Sequence, residues 1–215
     1  DDNSWEDSRW MEELRLGIRD AGIDKYYKLY ARSDLVIARP DIVEKWSGVG
    51  LKAVLLGFES FRDEDLKTIN KKSTVIKNAE AAGILKDNGV DVIGYFLIYP
   101  SYTREDFLRL RDHVRQLDIT QPIFLMLTPL PGSLLYEEMK DKLLTREHRY
   151  FDGMHMLVAT TLPDEEFYRL FVELYRGVYT KRRLFRNLMQ GKISFSLPQA
   201  LAQVRFLKQL RPVDA

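Results

Sequence analysis

The chain has 215 residues, of which 45% are hydrophobic and 30% charged, the balance of a globular protein with room for one sizeable core. Its net charge of +1 gives no global electrostatic attraction toward nucleic acid or an acidic partner. No apolar run approaches the roughly 18 residues of a membrane span, and the absence of cysteine argues against a disulfide-stapled secreted domain.

In chain order, a first helix is expected from about Trp5 to Ala21, with Ser4 as N-cap, Asp7 three residues on and Gly22 as the stop. A strand is expected over Tyr26–Ala31. Pro40 then opens a short helix over 41–46, closed by Gly48 and Gly50. The apolar run Val54-Leu55-Leu56 leads into Gly57-Phe58-Glu59-Ser60. Helical pattern follows from about Asp63 to Asn88, interrupted near Lys72-Ser73-Thr74 and ended by Gly89. The next apolar run, Val92 to Ile98, leads into Tyr99-Pro100-Ser101-Tyr102-Thr103.

Thr103 reads as the N-cap of a helix with Glu105 and Asp106 in its first turn, both favourable against the helix dipole. Phe107, Leu110, Val114 and Leu117 recur at helical spacing and are expected to face a sheet. Ile123 to Leu127 leads into Thr128-Pro129-Leu130-Pro131-Gly132, and Ser133 caps a helix over 134–144. Past Leu144 the pattern changes. An irregular link spans 150–160, a long helix opens near Pro163 and runs to about Gln190, and a second helix covers 198–210 with Leu201, Val204, Leu207 and Leu210 on one face. Residues 1–149 are thus expected to form one body and residues 150–215 a helical extension packed on it.

Short continuous apolar runs separated by helices read as buried parallel strands. Strand, turn and helix recurring every roughly 30 to 40 residues mark right-handed βαβ units. The loops after such strands carry the site. Glu59, a carboxylate closing a strand that otherwise wants full burial, is therefore the first functional candidate; its other reading is a cap on the following helix. His113, His148 and His155 make no metal-ligand spacing, so no metal site is expected. The run Lys181-Arg182-Arg183-Leu184-Phe185-Arg186 reads first as cations favourable at a helix C-terminus and second as a membrane-surface contact.

The three turns that end the apolar runs resemble, in order and spacing, those of the radical S-adenosylmethionine (SAM) fold, in the branch that often carries a cobalamin-binding domain. Gly57-Phe58-Glu59-Ser60 is similar to its Gly-x-Glu-Ser, and Thr128-Pro129-Leu130-Pro131-Gly132-Ser133 to its Thr-Pro-x-Pro-Gly-Thr. Asp1-Asp2-Asn3 resembles the Asp-Asp-x-Phe after the family's second strand. Tyr30-Ala31-Arg32-Ser33-Asp34 resembles the Arg-x-Asp that ends its third. The resemblance runs from Asp1 to about Leu144, and from Tyr30 to Leu162 it extends to hopanoid C-methylases within the branch. Tyr99-Pro100-Ser101-Tyr102 departs from the family's commoner Gly-x-Pro-Gly turn.

The resemblance implies an α/β fold: a partial (β/α) TIM-like barrel, from the end of its second strand to its sixth, plus a C-terminal helical extension. It implies SAM as cofactor, with Glu59 on the ribose hydroxyls or the methionine ammonium and Arg32 on the methionine carboxylate. Arg32 has a second reading, an ion pair with Asp34. Asp2 and Asn3 would face the ammonium, Ser60 would serve as a cap or a ligand, and Gly94 would let the adenine approach the backbone. Tyr99, Pro100, Thr128 and Pro131 would shape the substrate rim. A [4Fe-4S] cluster is implied for the parent enzyme, although its C-x-x-x-C-x-x-C ligands have no counterpart here, and cobalamin is implied by the branch. The chain is accordingly read as a fragment severed upstream of Asp1. The implied activity is cobalamin-dependent methyl transfer to carbon on a lipid, tetrapyrrole or natural product, with anaerobic ring cyclisation as the in-family alternative. A cluster-free binding or scaffold protein is the alternative from another class. A small-molecule or lipid substrate, no nucleic acid, and a cytoplasmic location with peripheral membrane contact complete the expectation.

Overall fold

The computed structural model describes residues 5–69, 73–119, 121–180, 186 and 189. Among them, four strands lie side by side in chain order, β1 (Tyr27–Ala31), β2 (Leu51–Glu59), β3 (Asp91–Ile98) and β4 (Gln121–Met126). The β1–β2 and β2–β3 pairings are parallel, with Ala31 opposite Leu56 and Leu56 opposite Gly94. Helices separate the strands: α1 (Ser8–Asp20) precedes β1, α2 (Ser33–Ala38) and α3 (Pro40–Ser47) precede β2, and α4 (Asp63–Thr68) and α5 (Val75–Asp87) precede β3. Then come α6 (Arg104–Leu117), α7 (Leu134–Met139) and α8 (Asp164–Val178), with single 3₁₀ turns at Lys140–Lys142 and His148–Tyr150. This βα order with a parallel sheet is the α/β, barrel-type arrangement expected from the sequence.

The described residues fall into two compact units, 5–96 with 114–123 and Arg186, and 97–113 with 124–180. In the first, Val54, Leu56 and Phe58 of β2 alternate toward a buried face with Val92, Gly94 and Phe96 of β3. The opposite side of the same strands, at Leu55, Gly57, Glu59 and Tyr95, stays half-exposed. Asn78, Ala81, Ala82 and Leu85 form the buried stripe of α5 at helical spacing.

In the second unit, Phe107 and Leu110 of α6 are buried, and the Phe107 ring meets Phe167 of α8 edge-on at 5.3 Å. The first turn of α6 is a reciprocal cap. Thr103 N–H donates to Asp106 Oδ2 at 2.9 Å, and Asp106 N–H points back at the Thr103 hydroxyl.

Several boundaries differ from expectation for identifiable reasons. Helix α1 begins at Ser8 because Asp7, not Ser4, is its N-cap, its Oδ1 accepting from Trp10 N–H at 2.9 Å. The helical pattern after Ser60 does break: α4 ends at Thr68, and Thr74 opens α5 by accepting from Lys77 N–H. Helix α7 is shorter than the expected 134–144, passing after Met139 into a 3₁₀ turn. Helix α2 was hidden in the sequence because its six residues are too few to show a period. The α8 pattern is helical as far as Val178; the helix expected over 198–210, and Asp2 and Asn3, lie outside the described residues.

Candidate functional site

Glu59 closes β2 with φ at +62°, a backbone region that non-glycine residues rarely adopt. Ser60 N–H donates across it to the Phe58 carbonyl at 2.8 Å, so the strand ends in a three-residue turn centred on the carboxylate. The β2–β3 register also shifts between Gly57 and Glu59. Such a bulge lets a strand end re-aim one side chain. Residues held in sparsely populated backbone conformations cost about 1–3 kcal/mol each and persist only where the surroundings over-determine them.

The surroundings here are specific. The Phe58 ring is fully buried and stacks on Phe96 at 5.1 Å, which fixes the residue before Glu59. The Phe58 carbonyl accepts a second bond, from Asn78 Nδ2 at 3.0 Å. Asn78 Oδ1 in turn accepts from the Ser33 and Ser73 hydroxyls at 2.6 and 2.8 Å. Ser33, Ser60 and Asn78 are buried. On the other side of the turn the Ser60 hydroxyl donates to Asp65 and accepts from Arg62 N–H at 3.1 Å. Arg62 Nε closes the loop on Asp65 at 2.9 Å.

The entry to α4 is therefore served by Ser60. Arg62 occupies the N-cap position of α4 with no side-chain cap bond. Glu59 is half-exposed, as are Gly57 and Leu55 of the same strand.

Arg32 follows β1, which pairs with β2. Its fork is engaged by Asp34, with Nε at 3.1 Å and Nη2 at 2.7 Å from the two carboxylate oxygens, and Nη1 lies 3.5 Å from Glu6. The bond to Asp34 holds the guanidinium pKa above its ordinary value. Of the two sequence readings for Arg32, the structure contains the ion pair. At Gly94 a Cβ would meet the Phe58 ring at 3.0 Å and Ile119 Cδ1 at 3.2 Å. That close packing accounts for the glycine on its own. On the half-exposed face burial first, then the neighbouring Tyr30 phenol, pushes the Tyr95 phenol pKa up.

In the second unit, Tyr99 and Pro100 follow β3 and Thr128 to Pro131 follow β4. The Tyr99 ring lies 5.8 Å from that of buried Tyr102, and the Pro100 carbonyl accepts from Thr161 N–H at 2.9 Å. Thr128 Oγ1 donates to the Met126 carbonyl at 2.9 Å, while Pro131 is exposed. His155 Nδ1 stands 3.0 Å from Asp152 Oδ2, a pairing the sequence did not announce.

Among the described residues no group of three or more His, Cys, Asp or Glu side chains is placed to hold a metal ion. With no cysteine anywhere in the chain, its donor set does not fit a thiolate-held iron–sulfur cluster. A partly buried carboxylate on a fixed strand-end turn does fit an acceptor for vicinal hydroxyls or an ammonium. No helix of the described residues is long and apolar enough to cross a membrane. In the basic run, Arg186 is the described residue; it is exposed and paired with Asp118.

No protein-family model matches the chain. Curated relatives do. The chain is 30% identical over 201 residues to bacteriochlorophyllide d C-12(1)-methyltransferase of Chlorobaculum tepidum, covering 89% of this chain and 42% of that protein. It is 29% identical over 169 residues to hopanoid C-3 methylase of Methylococcus capsulatus, covering 79% of this chain and 33% of that one. The anaerobic magnesium-protoporphyrin IX monomethyl ester cyclase of Rubrivivax gelatinosus is 27% identical over 125 residues, covering 58% and 22%. The chain thus spans less than half the length of these relatives. They are the kinds of protein to which the strand-end motifs pointed, and they bear out the resemblance to the cobalamin branch of radical SAM enzymes.

Proposed function

We propose that this chain supplies later strands of the barrel of a radical SAM enzyme that methylates carbon with the help of cobalamin. A tetrapyrrole or a polycyclic lipid is the substrate class this reading favours, since bacteriochlorophyllide d C-12(1)-methyltransferase and hopanoid C-3 methylase, which match 89% and 79% of the chain, are named for methyl transfer to such molecules. The observation that carries the reading is Glu59: a Gly-x-Glu-Ser carboxylate held at positive φ by a turn whose flanking residues are tied to buried Asn78 on one side and to Asp65 on the other. Strain retained at a strand end, in the loops where α/β folds keep their chemistry, points to a binding role.

When bound, SAM and its cluster supply hydrogen abstraction and cobalamin supplies the methyl group. The share of this chain is orientation. Glu59 accepts from the ribose hydroxyls or the methionine ammonium, and Ser60 keeps the loop behind it closed. Asp2 and Asn3 would add acceptors for the ammonium. Arg32 joins only where the methionine carboxylate displaces Asp34 from the guanidinium fork. Tyr99, Pro100, Thr128 and Pro131 form the substrate rim. Gly94 takes part through packing beneath Phe58. The cluster ligands would come from residues outside this sequence, in a longer protein. Membrane contact through residues 181–186 belongs to the same proposal, as the route by which a lipid substrate would be met.

Ring cyclisation is the second reading, favoured by the similarity to the protoporphyrin ester cyclase. A cluster-free binding protein is the third, favoured by the missing cysteines.

The test is titration of SAM into the full-length protein and its Glu59→Gln variant. Loss of a charge-assisted hydrogen bond predicts an affinity roughly tenfold to a hundredfold weaker. Unchanged affinity removes Glu59 from the SAM site. The coding sequence upstream of Asp1 separates the first two readings from the third, because C-x-x-x-C-x-x-C there is required by both enzymes and absent from a cluster-free relative.

A further inference from the structure

We propose that Asn78 is a positioning residue for Glu59, acting through the backbone of the strand-end turn; this rests on Glu59 being a SAM contact. Asn78 belongs to the buried stripe of α5, where its neighbours at helical spacing are Ala81, Ala82 and Leu85. A buried amide among small apolar residues costs free energy unless every polar atom is partnered. Here the hydrogen bonds of the amide converge on one task. A carbonyl can only accept, so the Phe58 oxygen fixes which end of the amide is nitrogen, and the Asn78 oxygen faces the two hydroxyls.

Ser33 opens α2, just after β1, and Ser73 precedes α5, so the amide is gripped by two separate segments while it holds a third. Its donation to Phe58 O acts on the atom that also receives Ser60 N–H, and that second bond is what closes the turn around Glu59. The amide thus stabilises the positive-φ conformation without approaching the ligand. Phe58 cannot relax away from it, because its ring is buried against Phe96 and above Gly94. Relaxation of Glu59 to ordinary extended backbone would re-aim its carboxylate away from the direction the turn gives it.

The experiment is a double-mutant cycle on SAM affinity in the full-length protein, with Asn78→Ala and Glu59→Gln alone and together, each variant also melted. The expected result is that Asn78→Ala weakens SAM binding about tenfold, while adding it to Glu59→Gln weakens binding no further. The melting temperature falls by the same amount in both backgrounds. Ser33→Ala removes one of the two hydroxyls gripping the amide and serves where Asn78→Ala does not fold; its smaller loss should vanish in the same background. Multiplying effects overturn the inference and leave the Glu59 reading standing, as does an Asn78 variant with wild-type affinity beside a weakened Glu59 variant. Weakening by Asn78→Ala with none by Glu59→Gln overturns both, since the amide would then act through another group.

Discussion

At residue scale, β2 is governed by what must be small or polar beside Phe58. Gly94 lies opposite Leu56 in the sheet register and beneath the Phe58 ring, and a Cβ there would come within 3.1 Å of two ring carbons and 3.2 Å of Ile119. These neighbours are themselves fully buried, so they have nowhere to move. Gly94→Ala is therefore expected to cost about 1–3 kcal/mol by overpacking, read as a shift in denaturant midpoint. It should also weaken SAM binding, because the displaced ring carries the backbone on which Glu59 turns. A stability loss without any change in SAM affinity would separate Phe58 packing from the site. Sequence reasoning singled out Glu59, Ser60 and Gly94 because strand-end motifs are local. It passed over Asn78, although a lone amide on the Ala81, Ala82, Leu85 stripe was legible as a buried polar group. What no local pattern shows is its partner, a carbonyl 20 positions away, since backbone acceptors leave no trace in side-chain identity.

At element scale, the two ends of the sheet are finished differently. The N–H groups of Phe124 and Met126 on β4 share one direction, being two residues apart, and neither turns to a strand. The Phe124 N–H donates to the Tyr175 hydroxyl at 3.0 Å, and that hydroxyl donates back to the Phe124 carbonyl at 2.9 Å. The Met126 N–H donates to the Gly153 carbonyl. A side chain of α8 and a loop thus stand in for a neighbouring strand, one of the ways a sheet edge is covered. Tyr175→Phe keeps the ring contact with Phe124 at 4.9 Å but strands a buried donor and acceptor. The expected loss is about 1–3 kcal/mol, measured by chemical denaturation of the two proteins side by side; equal stability would mean water replaces the hydroxyl. The strands and long helices were legible because apolar runs and helical periods persist over enough residues. The phenol that caps β4 was not, because its ring is as apolar as its neighbours and only the fold reveals where its oxygen reaches.

At the scale of the whole molecule, the other end of the sheet lacks such a cover among the described residues. Strand β1 is last in the strand order and pairs with β2 alone. Its residues alternate between half-exposed and exposed from Tyr27 to Tyr30, with Tyr30 at 48% and neighbouring Tyr26 at 67% of full exposure. Trp10 and Leu14, one helical turn apart on α1, add further exposed apolar surface in the same unit. Unpaired backbone beside exposed aromatic side chains is a template for another strand. Lys28, exposed in the middle of β1, is the one charge on that strand to oppose it. The 215-residue chain, prepared by itself, is therefore expected to self-associate through this edge, with sedimentation coefficients that rise with protein concentration. Replacing Tyr26 and Tyr30 by lysine should raise edge charge, leave the buried face of β2 untouched and restore a single slow species. A wild-type chain that sediments as a monomer over the whole concentration range would show that this edge is closed in solution.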